Sequence, residues 1–331
     1  MDRKRAVTTL DVLVLDGDCI GPEVTREAVK VLQAICDLEG LTLNLERSEF
    51  GGAAIDVHGE PCTEQTMKLA SAADAVLLGA VGGPKWDTQP AENRPERGLL
   101  KLRGHMGVFA NLRPARIFPV LAEASPLRSD LASGVDFLVV RELIGGIYFG
   151  GPRAIDGEGR ERVGYNTLIY RDEEIRRIGH VAFQTARRRG GKLCSIDKAN
   201  VLEVMMLWRS IMDELSGEYP EVELTHMYVD NCAMQVILNP GQFDVLVTGN
   251  LFGDIISDQA AAATGSIGLL PSAAVGEDNG LYEPIHGSAP DIAGQGKANP
   301  LAAILSVAML LEHSAGRKDL GARIEQAVTR T

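Results

Sequence analysis

Cysteine is sparse in this chain. Cys19, Cys36, Cys62, Cys194 and Cys232 are odd in number, scattered, and form no CxxC. That excludes a disulfide framework and suits a reducing compartment. Positive charge is in deficit: 33 Lys and Arg face 45 Asp and Glu, for a net charge of −12. Such a balance argues against nucleic acid or an anionic membrane as the main partner. An anionic ligand must then be held by a local cationic cluster. No apolar run is long enough to span a bilayer. The start, Met1-Asp-Arg-Lys-Arg-Ala6, is not followed by the apolar core of a secretory signal and is too short for a transit peptide. The expected location is cytoplasmic. Internal repeats, low-complexity tracts and obvious linkers are also lacking. So is the GxGxxG fingerprint: the first turn has Gly17 and Gly21 with Cys19 between them, which speaks against a Rossmann dinucleotide site.

What is present is an alternation of two periodicities. The length of 331 residues suggests two domains or one large one, and 45% hydrophobic content supplies a sizeable core. Val12–Leu15, Ala75–Ala80, Phe137–Val140, Leu193–Ile196, Met227–Val229 and Asp244–Thr248 read as buried strands, and Ala110–Pro114 as a further strand. Helical spacing runs over Glu23–Leu38, from about Gly98 to Arg103, and over Asp172–Arg189. A helix also follows Asn200, with apolar Val201, Val204, Met205 and Trp208. Gly151–Thr167 reads as loop or hairpin. Leu281–Pro300 reads as a long loop, ending with Asn299 as N-cap and Pro300 at the first position of an apolar helix. The class is therefore α/β with an at least partly parallel sheet, and any two domains interleave.

The chemistry concentrates in Thr248-Gly-Asn-Leu-Phe-Gly-Asp-Ile-Ile-Ser-Asp258. Asp254 and Asp258 are four apart, so on a helix they share one face. Two such carboxylates repel unless a cation lies between them, and oxygen ligands suit Mg2+ or Mn2+. The plainer reading is a pair of acids favoured by the helix dipole. Arg103, Arg113 and Arg141 follow apolar segments. Their planar forks suit a di- or tricarboxylate, although each alone reads as a surface arginine. Lys198, between strand and helix, is a candidate general base or a solvated loop lysine. Tyr148, in a Gly-flanked stretch, is a candidate proton donor or a packing tyrosine. Asp291 is the one acid among small residues in its loop; it could take two ribose hydroxyls or serve a turn.

Taken together these stretches resemble one family. GGPKWD (82–87), GLLKLR (98–103), ANLRP (110–114), GGIYFG (145–150), DKANVLE (197–203), YVD (228–230), GNLFGDIISD (249–258), GSIGLLPSA (265–273) and EPIHGSAPDIAG (283–294) resemble the isocitrate/isopropylmalate β-decarboxylating dehydrogenases. The GGIYFG form points to the 3-isopropylmalate branch. The resemblance implies two interleaved α/β domains of that family's own type, not a Rossmann fold. Residues 1–108 and 265–331 would form a cofactor-binding domain. Residues 109–264 would form a dimerising domain with the substrate and metal site. It implies that Arg103, Arg113 and Arg141 clamp the carboxylates of 3-isopropylmalate and that Leu99 and Leu100 receive the alkyl group. Lys198 would be the base, Tyr148 the acid. Asp254 and Asp258 would bind Mg2+ or Mn2+, with Asp230 and Lys198 reaching in from the other subunit of a homodimer. Asp230 would also touch substrate, and Glu96 would lie between substrate and nicotinamide. NAD would be held by Gly83, Glu96, His286, Gly287, Ser288, Ala289, Pro290, Asp291, Ile292 and Asn299. Asp291 and Ile292 stand where NADP users carry a basic residue.

Departures from the pattern keep other readings open. Asp16 and Cys19 replace a usual proline and glycine, Gly104 a usual lysine, and Ile144 a usual threonine. The chain ends at Thr331, short of the usual terminus. These would fit a paralogue acting on another 3-substituted malate, or a non-catalytic homologue serving as a dimeric binding subunit.

Overall fold

A computed structural model describes residues 7–331; the expectation for the first six residues lies outside them. The strands are β1 (Thr9–Gly17), β2 (Thr42–Arg47), β3 (Ala75–Ala80), β4 (Ala110–Arg116), β5 (Asp136–Glu142), β6 (Ala154–Asp156), β7 (Val163–Tyr165), β8 (Lys192–Asp197), β9 (Glu223–Tyr228), β10 (Val245–Thr248), β11 (Pro271–Val275) and β12 (Gly280–Pro284). The helices are α1 (Gly21–Glu39), α2 (Gly52–His58), α3 (Glu64–Ala72), α4 (Pro95–Met106), α5 (Ser129–Ala132), α6 (Asp172–Arg188), α7 (Glu203–Ser216), α8 (Val229–Leu238), α9 (Asn250–Thr264), α10 (Leu301–His313) and α11 (Lys318–Arg330). The chain forms two compact units. One runs to Val108 and resumes at Ser266; the other is Phe109–Gly265.

In the first unit the strand order is β2-β1-β3-β12-β11, parallel except for the β11–β12 pair. α1 buries Val24, Ala28, Leu32 and Ile35, a stripe at helical spacing, and packs against α10. Complete burial of one such leucine contributes about 2 kcal/mol. α10 is apolar nearly all round, as a central helix must be. Gly17 has φ +73°, and a Cβ there would sit 2.0 Å from the Ala80 carbonyl oxygen. The absent side chain lets the first turn close onto β3.

In the second unit the order is β4-β5-β10-β8-β9, with β4 antiparallel and the rest parallel. β10 is buried at every residue, which is why it reads as a continuous apolar run and not as an alternation. Phe137, Val139, Ile196, Leu246, Ile256 and Ala260 belong to one core, so α9 is seated on the sheet by its apolar face. Arg141 pairs in register with Thr248, and Thr248 with Ile196. The parallel register therefore delivers Arg141, Lys198 and the start of α9 to the C-terminal ends of adjacent strands, where open α/β sheets place their ligands.

Several boundaries differ from expectation. Gly280–Pro284 is strand, not part of a loop; it is short and ends in Pro284, so it carries no run to read. Val201 precedes α7 and is exposed, and α7 starts at Glu203. Val229 begins α8 instead of ending a strand. α4 starts at Pro95, before Gly98. Pro300 occupies the cap position of α10, one residue after the expected cap. Asn299 still supplies the cap's hydrogen bond, its Oδ1 accepting from the Leu301 N–H at 3.0 Å.

Candidate active site

The second unit brings five of the expected residues into one network. Arg141, 2% exposed at the end of β5, donates from Nη1 to Asp254 Oδ1. Arg113, on β4, donates from Nη1 to Ser257 Oγ (2.7 Å), Asp258 Oδ1 (3.2 Å) and Asp254 Oδ1 (3.4 Å). Its Nε donates to Asn111 Oδ1 at 2.7 Å. The Tyr148 hydroxyl donates to Asp254 Oδ2 at 3.1 Å, and the Arg141 guanidinium lies 6.0 Å from the Tyr148 ring centre. Tyr148 closes the 3-10 turn Gly146–Tyr148. α9 carries both aspartates one turn apart, as the i, i+4 spacing predicts.

Charge explains the grouping. One guanidinium nitrogen of Arg113 reaches both carboxylates, taking the place a bridging cation would hold. Burial pushes the Asp258 carboxyl up, Arg113 pulls it down, and the Asp254 charge pushes it up again. Burial and the same Asp254 charge hold the Tyr148 phenol above its ordinary range. Two hard carboxylate donors one helical turn apart, on one face of α9, fit a divalent cation of the Mg2+ or Mn2+ type.

Lys198 stands apart from that network within the unit. Its Nζ donates to Asp230 Oδ1 at 2.6 Å, which holds the Asp230 carboxyl below its usual range. The turn bearing Lys198 is fixed by Asp197, whose side chain is fully buried. Asp197 accepts two bonds from Arg209 (2.8 and 2.9 Å) and one from the Ala199 N–H (2.9 Å). Among the described residues no three His, Cys, Asp or Glu side chains form a metal-holding group. Asp230 thus does not complete the Asp254–Asp258 pair inside one chain.

The first unit holds the other expected residues. Arg103 Nη2 donates to Glu283 Oε1 at 2.5 Å, and both side chains are nearly buried. Its Nε is buried without a hydrogen-bond partner. Leu99 and Leu100 are half-buried and Glu96 is exposed. The Glu96 carboxylate borders Gly82: a Cβ on that glycine would lie 2.5 Å from Glu96 Oε1. Gly83 adjoins the Trp86 ring, which Asp56 holds through the indole N–H at 3.2 Å. In the second loop, the Ser288 carbonyl accepts from the Ile20 N–H at 3.1 Å and Ala289 has φ +40°. His286 Nδ1 bonds the Gly287 carbonyl, while its Nε2 is buried and unpartnered; burial keeps the ring's pKa low. Gly287, Pro290 and Asp291 are exposed, Ile292 half-buried. An orphaned buried nitrogen in a loop of small residues fits a hydrogen-bonding ligand such as a dinucleotide.

Some residues that build the site escaped the sequence reading. Asp18, 2% exposed, accepts from the N–H groups of Gly52 (2.9 Å), Ala53 (2.8 Å) and Gly82 (2.7 Å), and so pins the glycine loop. Glu142, fully buried, accepts from Gly145 N–H (2.8 Å) and Arg177 Nη2 (3.2 Å) behind the Tyr148 turn. Their neighbours in sequence, Gly17 and Arg141, drew attention; an isolated acid gives no periodic signal. The substituted turn residues are accommodated locally. Asp16 pairs with Arg47 at 2.6 Å and Thr25 at 2.5 Å, and Cys19 takes φ +53°, the left-handed region that glycine enters without cost.

Residues 11–331 match the isocitrate/isopropylmalate dehydrogenase family. This chain belongs to that family. Among curated members, it is 61% identical over 319 residues to the 3-isopropylmalate dehydrogenase of Chromohalobacter salexigens, covering 96% of this chain and 89% of that protein. It is 58% identical over 324 residues to the enzyme of the same name from Hydrogenovibrio crunogenus, covering 97% and 91%. Among solved family structures, isocitrate dehydrogenase from Methylococcus capsulatus superposes with TM-score 0.85 at 35% identity, covering 97% of this chain and 90% of that one. A β-decarboxylating dehydrogenase from Thermococcus kodakarensis does so with TM-score 0.75 at 36% identity, covering 96% and 88%. The fold is therefore the family's α/β fold, as the motifs imply.

Proposed function

We propose that this chain is an NAD-dependent 3-isopropylmalate dehydrogenase that converts 3-isopropylmalate to 4-methyl-2-oxopentanoate and CO2 in leucine biosynthesis, working as a cytoplasmic homodimer. The observation that carries the reading is the cluster of Arg113, Arg141, Tyr148, Asp254 and Asp258, in a chain closely similar to enzymes of that name. The relatives' names do not favour a different 3-substituted malate or a non-catalytic role. No helix among the described residues is long and apolar enough to cross a membrane.

The chain's own groups divide the work. Arg113, Arg141 and Arg103 hold the substrate carboxylates and fix the C2–C3 axis, with Leu99 and Leu100 against the isopropyl group. Orientation of this kind contributes several kcal/mol when the geometry is tight, on the order of the effective-molarity gains of tethered reactions. Lys198 takes the C2 hydroxyl proton. Tyr148 returns a proton to the carbon that loses CO2. Its raised pKa keeps the phenol protonated at neutral pH and able to donate. Asp254 and Asp258, with Asp230 of a second subunit, would hold Mg2+ or Mn2+, which when bound polarises the C2 oxygen, while NAD+ receives the hydride. Gly83, Glu96, the His286–Ile292 stretch and Asn299 would bind NAD+, with Asp291 on the ribose hydroxyls.

The test is direct. Purified protein with 3-isopropylmalate, NAD+ and Mg2+ should form NADH at 340 nm, roughly the nicotinamide band; a chelator should stop it, and Lys198→Ala should lower kcat at least about 1,000-fold. Turnover that persists with chelator present would overturn the reading.

A further inference from the structure

Behind Arg141 lies a residue with no assigned part, Asn250. It is 1% exposed and opens α9. As the first helical residue, its N–H has no partner within the helix. That N–H donates instead to the Tyr170 hydroxyl at 2.7 Å. Tyr170 fills space left by three glycines: a Cβ on Gly145 or Gly249 would meet its ring at 2.9 or 3.0 Å, and one on Gly146 would meet its hydroxyl oxygen at 2.4 Å.

The side-chain amide is fully used. Oδ1 accepts from Arg141 Nε (3.1 Å) and Nη2 (2.7 Å), a two-point grip on one edge of the guanidinium. Nδ2 donates to the carbonyls of Leu143 (2.8 Å) and Gly145 (3.1 Å), in the segment leading to Tyr148. Both acceptor directions and both donor hydrogens are taken, so the amide has one workable orientation. A flip would turn NH2 toward the guanidinium and oxygen toward two carbonyls.

We propose that Asn250 is the positioning residue of Arg141: it fixes the rotation of the guanidinium and ties it to the Tyr148 segment without neutralising its charge. The choice of side chain follows from the chemistry. A carboxylate at this position could grip the same edge of the fork, but would cancel the positive charge and repel an anionic ligand. It would also set oxygen against the Leu143 and Gly145 carbonyls. A neutral amide orients the arginine and adds no negative charge to that of Asp254, which already engages Nη1. This inference rests on the proposed reading only where Arg141 is said to bind a substrate carboxylate; the positioning itself does not.

The experiment therefore has two readouts. In 15N-arginine-labelled protein, the Nε–H of a buried, hydrogen-bonded guanidinium exchanges slowly and gives its own NMR signal; Arg141→Lys identifies it. We expect that signal to disappear or shift in Asn250→Ala and to persist in Asn250→Asp, which keeps the acceptor. In kinetics, Asn250→Asp should raise KM for 3-isopropylmalate about 100-fold with a smaller change in kcat, while NAD+ binding by calorimetry stays unchanged. In the Arg141→Lys background, Asn250→Ala should add little further loss, because both changes act on one unit. An unmoved Arg141 signal in Asn250→Ala, or fully additive losses, would overturn the proposal. A wild-type protein with the expected NMR behaviour but no turnover of 3-isopropylmalate would sink the functional reading and leave the positioning role standing.

Discussion

Glu142 shows how one buried acid makes stability depend on pH. Its side chain is fully buried, and burial pushes its carboxyl up to about 7 from the ordinary 4.5; the Gly145 N–H and Arg177 pull only partly the other way. Its pKa in the folded state is therefore higher than in the unfolded chain. Below pH 4.5 both states hold the proton and no penalty exists. Between 4.5 and 7 the unfolded chain releases it while the folded protein keeps it, so stability falls as pH rises through that window. The loss is about 3 kcal/mol. In Glu142→Gln this part of the decline should vanish. Urea unfolding of both proteins at several pH values measures it; parallel curves would show that Glu142 does not titrate in the window.

At the scale of elements, α9 is the part on which most depends. Gly253 lies where the helix passes Arg141: a Cβ there would sit 2.6 Å from Arg141 Cγ and 2.8 Å from its Cβ. Helix propensity alone would make Gly253→Ala stabilising by about 1 kcal/mol. The clash reverses the sign, because Cβ and Cγ of a residue in β5 cannot swing away as a side-chain tip can. Gly253→Ala should cost roughly 1–3 kcal/mol and lower kcat/KM about 100-fold. A variant with raised Tm and normal kcat/KM would contradict this packing argument. The same helix shows how far sequence carries. Asp254 and Asp258 were legible because charge at i, i+4 is a pattern, and β10 because a buried parallel strand is a continuous apolar run. Asn250 and Tyr170 were not, since their importance lies in partners eighty or more residues away or across a space made by glycines. β11 and β12 escaped because Pro271-Ser-Ala-Ala-Val275 is built of small residues and Tyr282-Glu-Pro284 carries charge and proline in a short strand. Arg113 reads as any surface arginine until β4 places it beside two carboxylates.

At the scale of the whole molecule, Lys198 engages Asp230, not the aspartates of α9, within one chain. This supports the proposal that each active site takes its lysine and third carboxylate from a second copy. Mixed expression of Lys198→Ala and Asp254→Asn chains tests it. Random pairing makes half of the dimers hybrid, each with one intact site, so about a quarter of wild-type activity should return. A mixture no more active than either parent would show that the sites are built within single chains.

The division of the first unit into residues before Val108 and after Ser266 has a consequence for synthesis on the ribosome. β3 cannot meet β12 until about two hundred residues later in translation, and α1 waits longer still for α10. The intervening unit leaves the exit tunnel complete and is free to fold while β1, β2 and β3 wait with an open sheet edge. Closing a loop that long carries a real entropic cost, and an uncovered parallel strand such as β3, apolar throughout, is the kind of surface that chaperones bind. Nascent chains arrested just after Gly265 has cleared the exit tunnel should therefore protect the second unit from protease while the first remains open to cleavage.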